Sequence, residues 1–260
     1  MPDWVVILLA VTNVVTVVAL YLATRRMLKL RRQKRRAFAF KPYPIRQVKL
    51  EEVDPCFAMT EHGPAPESTV AFIGGEGVVA SLSDRETWVI AGLAKSARRI
   101  FEFGTCSGKT AHVMALNAPD DAEIHTLTIH PDDLASLEFG ASDDRLHQNV
   151  AADEAAFTTF YYEGHSTEAK IRQIFSDSKA YDDTPLKGSV DLVFIDGAHT
   201  RSYVESDTNK ALSMLSGRGV VLWHDYKPDA PDVFNYLNDL ARELPLVHIK
   251  DTDIVMYRRG

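Results

Sequence analysis

At 260 residues, 45% of them apolar and 25% charged, the chain has the composition of an ordinary globular protein and is long enough for one sizeable α/β domain plus an appendage. Its two cysteines, Cys56 and Cys106, are too few for a disulfide framework. Residues 1–41 carry nine Lys/Arg and one Asp, so the total of −7 leaves −15 for the remainder; a body that acidic repels phosphates, which argues against nucleic acid as a substrate.

In chain order, Trp4 to Ala23 comes first, uncharged and broken only by Thr12, Asn13 and Thr16. Its length predicts one N-terminal transmembrane helix within residues 1–24. No basic region precedes it, which argues for a permanent anchor over a cleaved signal peptide. Arg25, Arg26, Lys29, Arg31, Arg32, Lys34, Arg35 and Arg36 follow. This run predicts a single-pass protein of the inner or plasma membrane, N-terminus outside, catalytic domain cytoplasmic, with the basic run against anionic headgroups. Residues 25–83 then read as a basic juxtamembrane segment and linker. Phe38 to about Val70 carries five prolines and no clear periodicity, as expected of a linker that packs over the domain.

From residue 84 onward strands and helices alternate. Asp84–Arg98 has an acidic start, helical spacing and a basic end; Ile100–Phe103 is a buried strand; Lys109–Asn117 is a helix. Glu123–Ile129 is the second strand. Helical pieces follow around 132–138 and 149–157, then a short strand within Ile171–Asp177. Val190–Ile195 is a strand, Ser202–Leu215 a helix, Gly219–Trp223 a strand and Val233–Leu244 a helix. Leu246–Ile249 and Ile254–Tyr257 close the chain as an antiparallel hairpin. The alternation predicts a doubly wound, mostly parallel sheet covered on both faces. Ligands of such sheets bind beyond the carboxyl ends of the strands, where this chain repeatedly places ionisable residues.

The most informative stretch is the turn Gly104-Thr105-Cys106-Ser107-Gly108 between the first strand and its helix. Glycine there allows a sharp turn and close ligand approach, while the free N–H groups of the new helix attract polar groups. Gly108-Lys109-Thr110 is the end of a P-loop motif, but Phe103 stands where its first glycine is required. A dinucleotide fingerprint fails as well, with Cys106 in place of the second glycine. What remains is E-x-G-x-x-x-G, spelled by Glu102 to Gly108.

At this point the sequence resembles the class I S-adenosylmethionine-dependent methyltransferases. The likeness runs from about Asp84 to the C-terminus and implies a Rossmann-like, seven-stranded sheet in a domain spanning 84–260. VDLVFIDGAHTRSYVESDTNKAL followed by GVVLWHDY resembles the small-molecule O-methyltransferase branch. The resemblance implies S-adenosyl-L-methionine binding by Glu102, Gly104, Thr105, Gly108, Thr128, His130, Asp177 and Ser178. Thr128 departs from the family, which usually has an acidic residue there for the ribose hydroxyls. The resemblance further implies Asp196 and His199 as catalytic residues, His199 being the general base. It implies Asp196, His224 and Asp225 as ligands of a divalent cation: Mg2+ suits the oxygens, while His224 admits manganese or iron. The expected partner is a small-molecule acceptor, such as a sugar, a lipid-linked compound or a secondary metabolite, and a homo-oligomer is allowed. The competing expectation is a non-catalytic, anchored binding protein that keeps the fold.

Overall fold

The structure, a computed structural model, describes residues 2–5, 12–13, 16–28, 43–74, 77, 82–141, 143–144 and 155–260. The chain divides into two units, Met1–Pro44 and Ile45–Gly260.

In the first unit the longest described helical run, residues 16–28, has thirteen residues and ends with Arg25 and Arg26 inside it. Among the described residues no helix is long and apolar enough to cross a membrane. This corrects the expected transmembrane span, and with it the single-pass topology, the plasma-membrane placement and the membrane contact that rested on it. Residues 6–11 and 14–15 of the apolar stretch, and 29–36 of the basic run, lie outside the described residues.

The second unit is built on an eight-stranded sheet. Its strands are β1 (Gln47–Val48), β4 (Arg99–Phe103), β5 (Glu123–Thr128), β6 (Ile171–Phe175), β7 (Val190–Ile195), β8 (Leu215–Trp223), β9 (Val247–Ile249) and β10 (Val255–Arg258). The order is β1-β9-β10-β8-β7-β4-β5-β6. All neighbours are parallel except β10, which runs antiparallel to both β8 and β9. The terminal hairpin therefore folds back so that its second strand lies inside the sheet. The extra strand β1 extends the expected seven to eight. It belongs to the proline-rich stretch, which also forms helix α1 (Leu50–Val53) and a small hairpin of β2 (Met59–Thr60) and β3 (Gly63–Pro64).

Alternation of side chains along the strands gives the sheet two apolar faces. On one, Ile100, Ile124, Leu192, Phe194 and Leu222 pack with Val89, Ile90 and Leu93 of helix α2 (Asp84–Ala94) and Ala111, Met114 and Ala115 of helix α3 (Lys109–Asn117). Val48, Leu50, Val53 and Phe57 of the proline-rich stretch join the same core. Helices α4 (Arg201–Met214) and α5 (Pro231–Leu240) complete the fold, with α4 tied to β8 by a 2.9 Å hydrogen bond from Trp223 Nε1 to Thr208 Oγ1. Most of the helical piece expected over 149–157 lies outside the described residues; the one near 132 is a 3-10 turn, Pro131–Ser136.

Candidate active site

The central strands β4 and β7 end side by side, and the turns that follow them touch. Gly104 has φ +95°, and a Cβ on it would lie 2.0 Å from the carbonyl oxygen of Asp196. Only glycine fits, so backbone meets backbone at the switch point of the sheet. Gly108, at φ +78°, caps α3, and a Cβ there would fall 2.9 Å from Phe160 and Tyr162. Cys106 between them also has a positive φ, 45°.

A cleft opens over these turns. Gly104 and Cys106 form part of its wall, with Thr128, Asp177, Ser178 and Asp196 around it. Of the residues expected at a cofactor, Gly104, Thr128, Asp177 and Ser178 are brought together here. Tyr203 and Asp207 line the cleft as well; one helical turn apart on α4, they looked like an ordinary amphipathic spacing in the sequence. Burial raises the Asp207 carboxyl to about 7, and its Oδ1 has no hydrogen-bond partner among the described residues.

Other expected residues sit elsewhere. Glu102 is fully buried beneath the turn and accepts a 2.5 Å hydrogen bond from Thr126 Oγ1 at Oε2, while Oε1 has no partner among the described residues. Burial pushes its carboxyl up to about 8. Thr105 is buried too, its hydroxyl 2.8 Å from that of Thr126 and accepting from Gln173 Nε2 at 3.2 Å. His130 caps the 3-10 turn, its Nδ1 accepting from the N–H of Asp132, with its ring edge-on to Phe175.

Beside the cleft, the ends of β7 and β8 and the start of α4 gather a cluster of ionisable side chains. His199 Nε2 lies 3.1 Å from Asp225 Oδ2 and 3.6 Å from Asp196 Oδ1. One atom each from Asp196, His199 and Asp225 falls within 4.8 Å of the others, a spacing compatible with a metal ion. His224 meets the same oxygen of Asp196, Nδ1 at 2.9 Å from Oδ1, with Nε2 3.7 Å from Glu86 Oε1. Burial alone would raise the Asp196 carboxyl, but the two imidazoles hold it well below the ordinary range. Burial likewise opposes charge on His224, yet Asp196 and Glu86 raise its pKa well above the ordinary value. The gathered donor set contains His199 where the sequence pattern suggested His224.

Two members of this cluster were not anticipated. Glu86 belongs to the capping box of α2, whose signal Ser83-Asp84-Arg85-Glu86 is plain in the sequence, but nothing local says that it reaches His224. Lys227 follows β8 by four residues and places its ammonium directly on Asp225 Oδ1. Asp225 itself has φ +58°, a strained conformation for a residue other than glycine.

Residues 101–226 match the family described as "Methyltransferase domain". No curated protein matches the chain. Among solved structures it is similar to a protein assigned as a caffeoyl-CoA O-methyltransferase from Staphylococcus aureus, at 17% identity over 70% of this chain and 86% of that one, with TM-score 0.50. It is similar also to the O-methyltransferase TomG of Streptomyces achromogenes, involved in tomaymycin synthesis and solved with S-adenosylmethionine. There the identity is 17%, the coverage 69% and 82%, and the TM-score 0.46. A methyltransferase of Podospora anserina solved with S-adenosylhomocysteine shares 20% identity over 69% and 79%, with TM-score 0.47. At these identities the likeness is one of fold.

Proposed function

We propose that this chain, which belongs to the S-adenosylmethionine-dependent methyltransferases, transfers the methyl group to a hydroxyl oxygen of a small-molecule acceptor. The observation that carries this reading is the position of the Asp196, His199 and Asp225 cluster: Asp196 belongs both to the cluster and to the wall of the cleft. A donor seated over Gly104 supplies an electrophilic methyl carbon; the chain must supply a place for the acceptor oxygen and a destination for its proton.

Gly104 lines the cleft in which the donor is read as lying, and Asp177, Ser178 and Thr128 offer polar atoms along the same wall for the rest of the molecule. The acceptor hydroxyl is read as sitting beside His199. As its oxygen attacks the methyl carbon, the carbon–sulfur bond breaks and the hydroxyl proton passes to the imidazole. Asp225, 3.1 Å from Nε2, stabilises the imidazolium that forms.

The donor set also fits a divalent cation, with two carboxylates and one imidazole close enough to share one ion. Asp196, His199 and Asp225 would hold it, and it would lower the pKa of a bound hydroxyl. An imidazole nitrogen facing two carboxylates carries a proton unless a cation lies between them. Proton and metal are therefore alternative occupants of one space.

The test is methyl transfer from labelled S-adenosylmethionine to a panel of hydroxylated small molecules. His199→Ala should lower kcat about 100-fold or more while donor affinity, read by calorimetry, stays within a few-fold. Label appearing on nitrogen or carbon acceptors only, or an unchanged kcat in the variant, overturns the proposal.

A further inference from the structure

The charge beside the candidate cation position is already partly compensated by a lysine. Lys227 is held by a short turn whose backbone is pinned on both sides. Its own N–H donates to the Asp225 carbonyl at 2.7 Å, and the preceding Tyr226 N–H donates to the Asp253 carbonyl at 2.9 Å. The Tyr226 side chain is fully buried, and its hydroxyl donates to Asn238 Oδ1 at 2.6 Å. The ammonium so delivered rests on Asp225 Oδ1 and lies 3.6 Å from Asp253 Oδ2. The other oxygen of the same carboxylate, Oδ2, is the one that faces His199.

We propose that Lys227 is a built-in competitor for the divalent-cation position, an internal cation that shares Asp225 with any metal and sets the affinity of the site. A divalent ion held by Asp196, His199 and Asp225 would share the Asp225 carboxylate with this positive charge, and at a separation well inside a Debye length salt screens their repulsion only in part. Asp225, already paired with an ammonium, offers a metal a weaker field than a bare carboxylate does. The inference rests on the donor set described above, and its readout is metal binding, independent of turnover.

The experiment uses the full chain and Mn2+ alone, followed by electron paramagnetic resonance. Lys227→Met and Lys227→Gln remove the charge and should each bind Mn2+ about tenfold or more tightly than the parent. Lys227→Arg keeps the charge and should stay within a few-fold of it. Adding Asp225→Asn to Lys227→Met should abolish the gain. Calorimetric titration with S-adenosylmethionine on the same samples verifies that the cleft is folded, and loss of that binding in the parent chain would count against the methyl-transfer reading separately. Equal Mn2+ affinity in the parent and both neutral variants overturns the proposal, as does a failure of all of them to bind Mn2+.

Discussion

A Cβ at residue 104 has no room. It would penetrate the Asp196 carbonyl at 2.0 Å and demand a φ of +95° from a residue that rarely adopts it. Gly104→Ala should therefore cost on the order of 3 kcal/mol and separate the two turns on which the cleft is built. A urea melt and donor calorimetry would check this; a variant with parental stability and affinity would refute the steric argument. Glu102 allows a prediction with a sign. Burial raises its folded carboxyl to about 8, against a reference value of 4.5. Both states are protonated below 4.5. Between there and 8 the unfolded chain releases its proton while the folded one keeps it, so stability falls as pH rises across that window. Glu102→Gln cannot titrate and should gain on the parent from pH 5 to pH 8, by up to about 4 kcal/mol. Parallel melting curves across the window would mean that Glu102 titrates normally. At this scale the sequence was legible where chemistry coincides with strand ends, as at Asp196, His199 and Asp225. It was silent about Lys227, since a lysine in a turn looks like any solvated surface charge until Asp225 is seen beneath it. It was equally silent about the depth at which Glu102 and Thr105 are buried, which depends on the strands either side of them.

Helix α2 shows how one element serves two ends. Ser83 caps it, accepting from the Glu86 N–H at 3.3 Å, and the Glu86 carboxylate accepts from the Ser83 N–H and hydroxyl at 3.0 and 2.7 Å. The other oxygen of Glu86 accepts the Asp253 N–H at 2.7 Å, fastening the helix start to the turn between β9 and β10. Ser83→Ala removes a cap and should cost about 1 kcal/mol. Glu86→Ala removes the cap, the tie to Asp253 and the counter-charge of His224 together, and should cost about 2–3 kcal/mol. Denaturant melts of the two variants decide it; equal losses would mean that Glu86 acts only as a cap. The order of the elements was legible because β4 and β7 are apolar runs closed by polar turns, and α2 begins in a capping signal. Their pairing was not. That β10 inserts between β8 and β9 depends on which strand edge the returning hairpin finds, and β1, two residues long, has no period to detect.

In the unit Ile45–Gly260 the proline-rich start behaves as part of the structural body. β1 pairs with β9, His248 N–H donating to the Arg46 carbonyl and Lys250 N–H to that of Val48, each at 2.9 Å. Asp54 meets Arg258 of β10 at 2.8 Å. Phe57 has no exposed surface; it stands edge-on to Trp88, 5.4 Å between centroids, and lies where a Cβ on Gly92 would be 2.5 Å from its Cζ. β1, α1 and the turn Pro55–Phe57 are two to four residues each and carry one or two buried side chains apiece, so they show neither a helical nor a strand period, although each contributes to the core. Two cuts in the chain test the consequence. Removing residues 1–44 takes away none of the cleft, the ionisable cluster or β1, and should leave melting temperature and donor affinity unchanged. Removing residues 1–69 exposes the edge of β9 and empties the space under α2 that Phe57 fills. Phe57→Ala alone should cost about 3–5 kcal/mol, and the longer deletion more, lowering the melting temperature by several degrees or preventing folding. If the 70–260 fragment melts with the 45–260 fragment, the sheet and helices α2 to α5 are sufficient and the Phe57 contact is dispensable; if the 45–260 fragment already loses donor binding, the first unit contributes to the site.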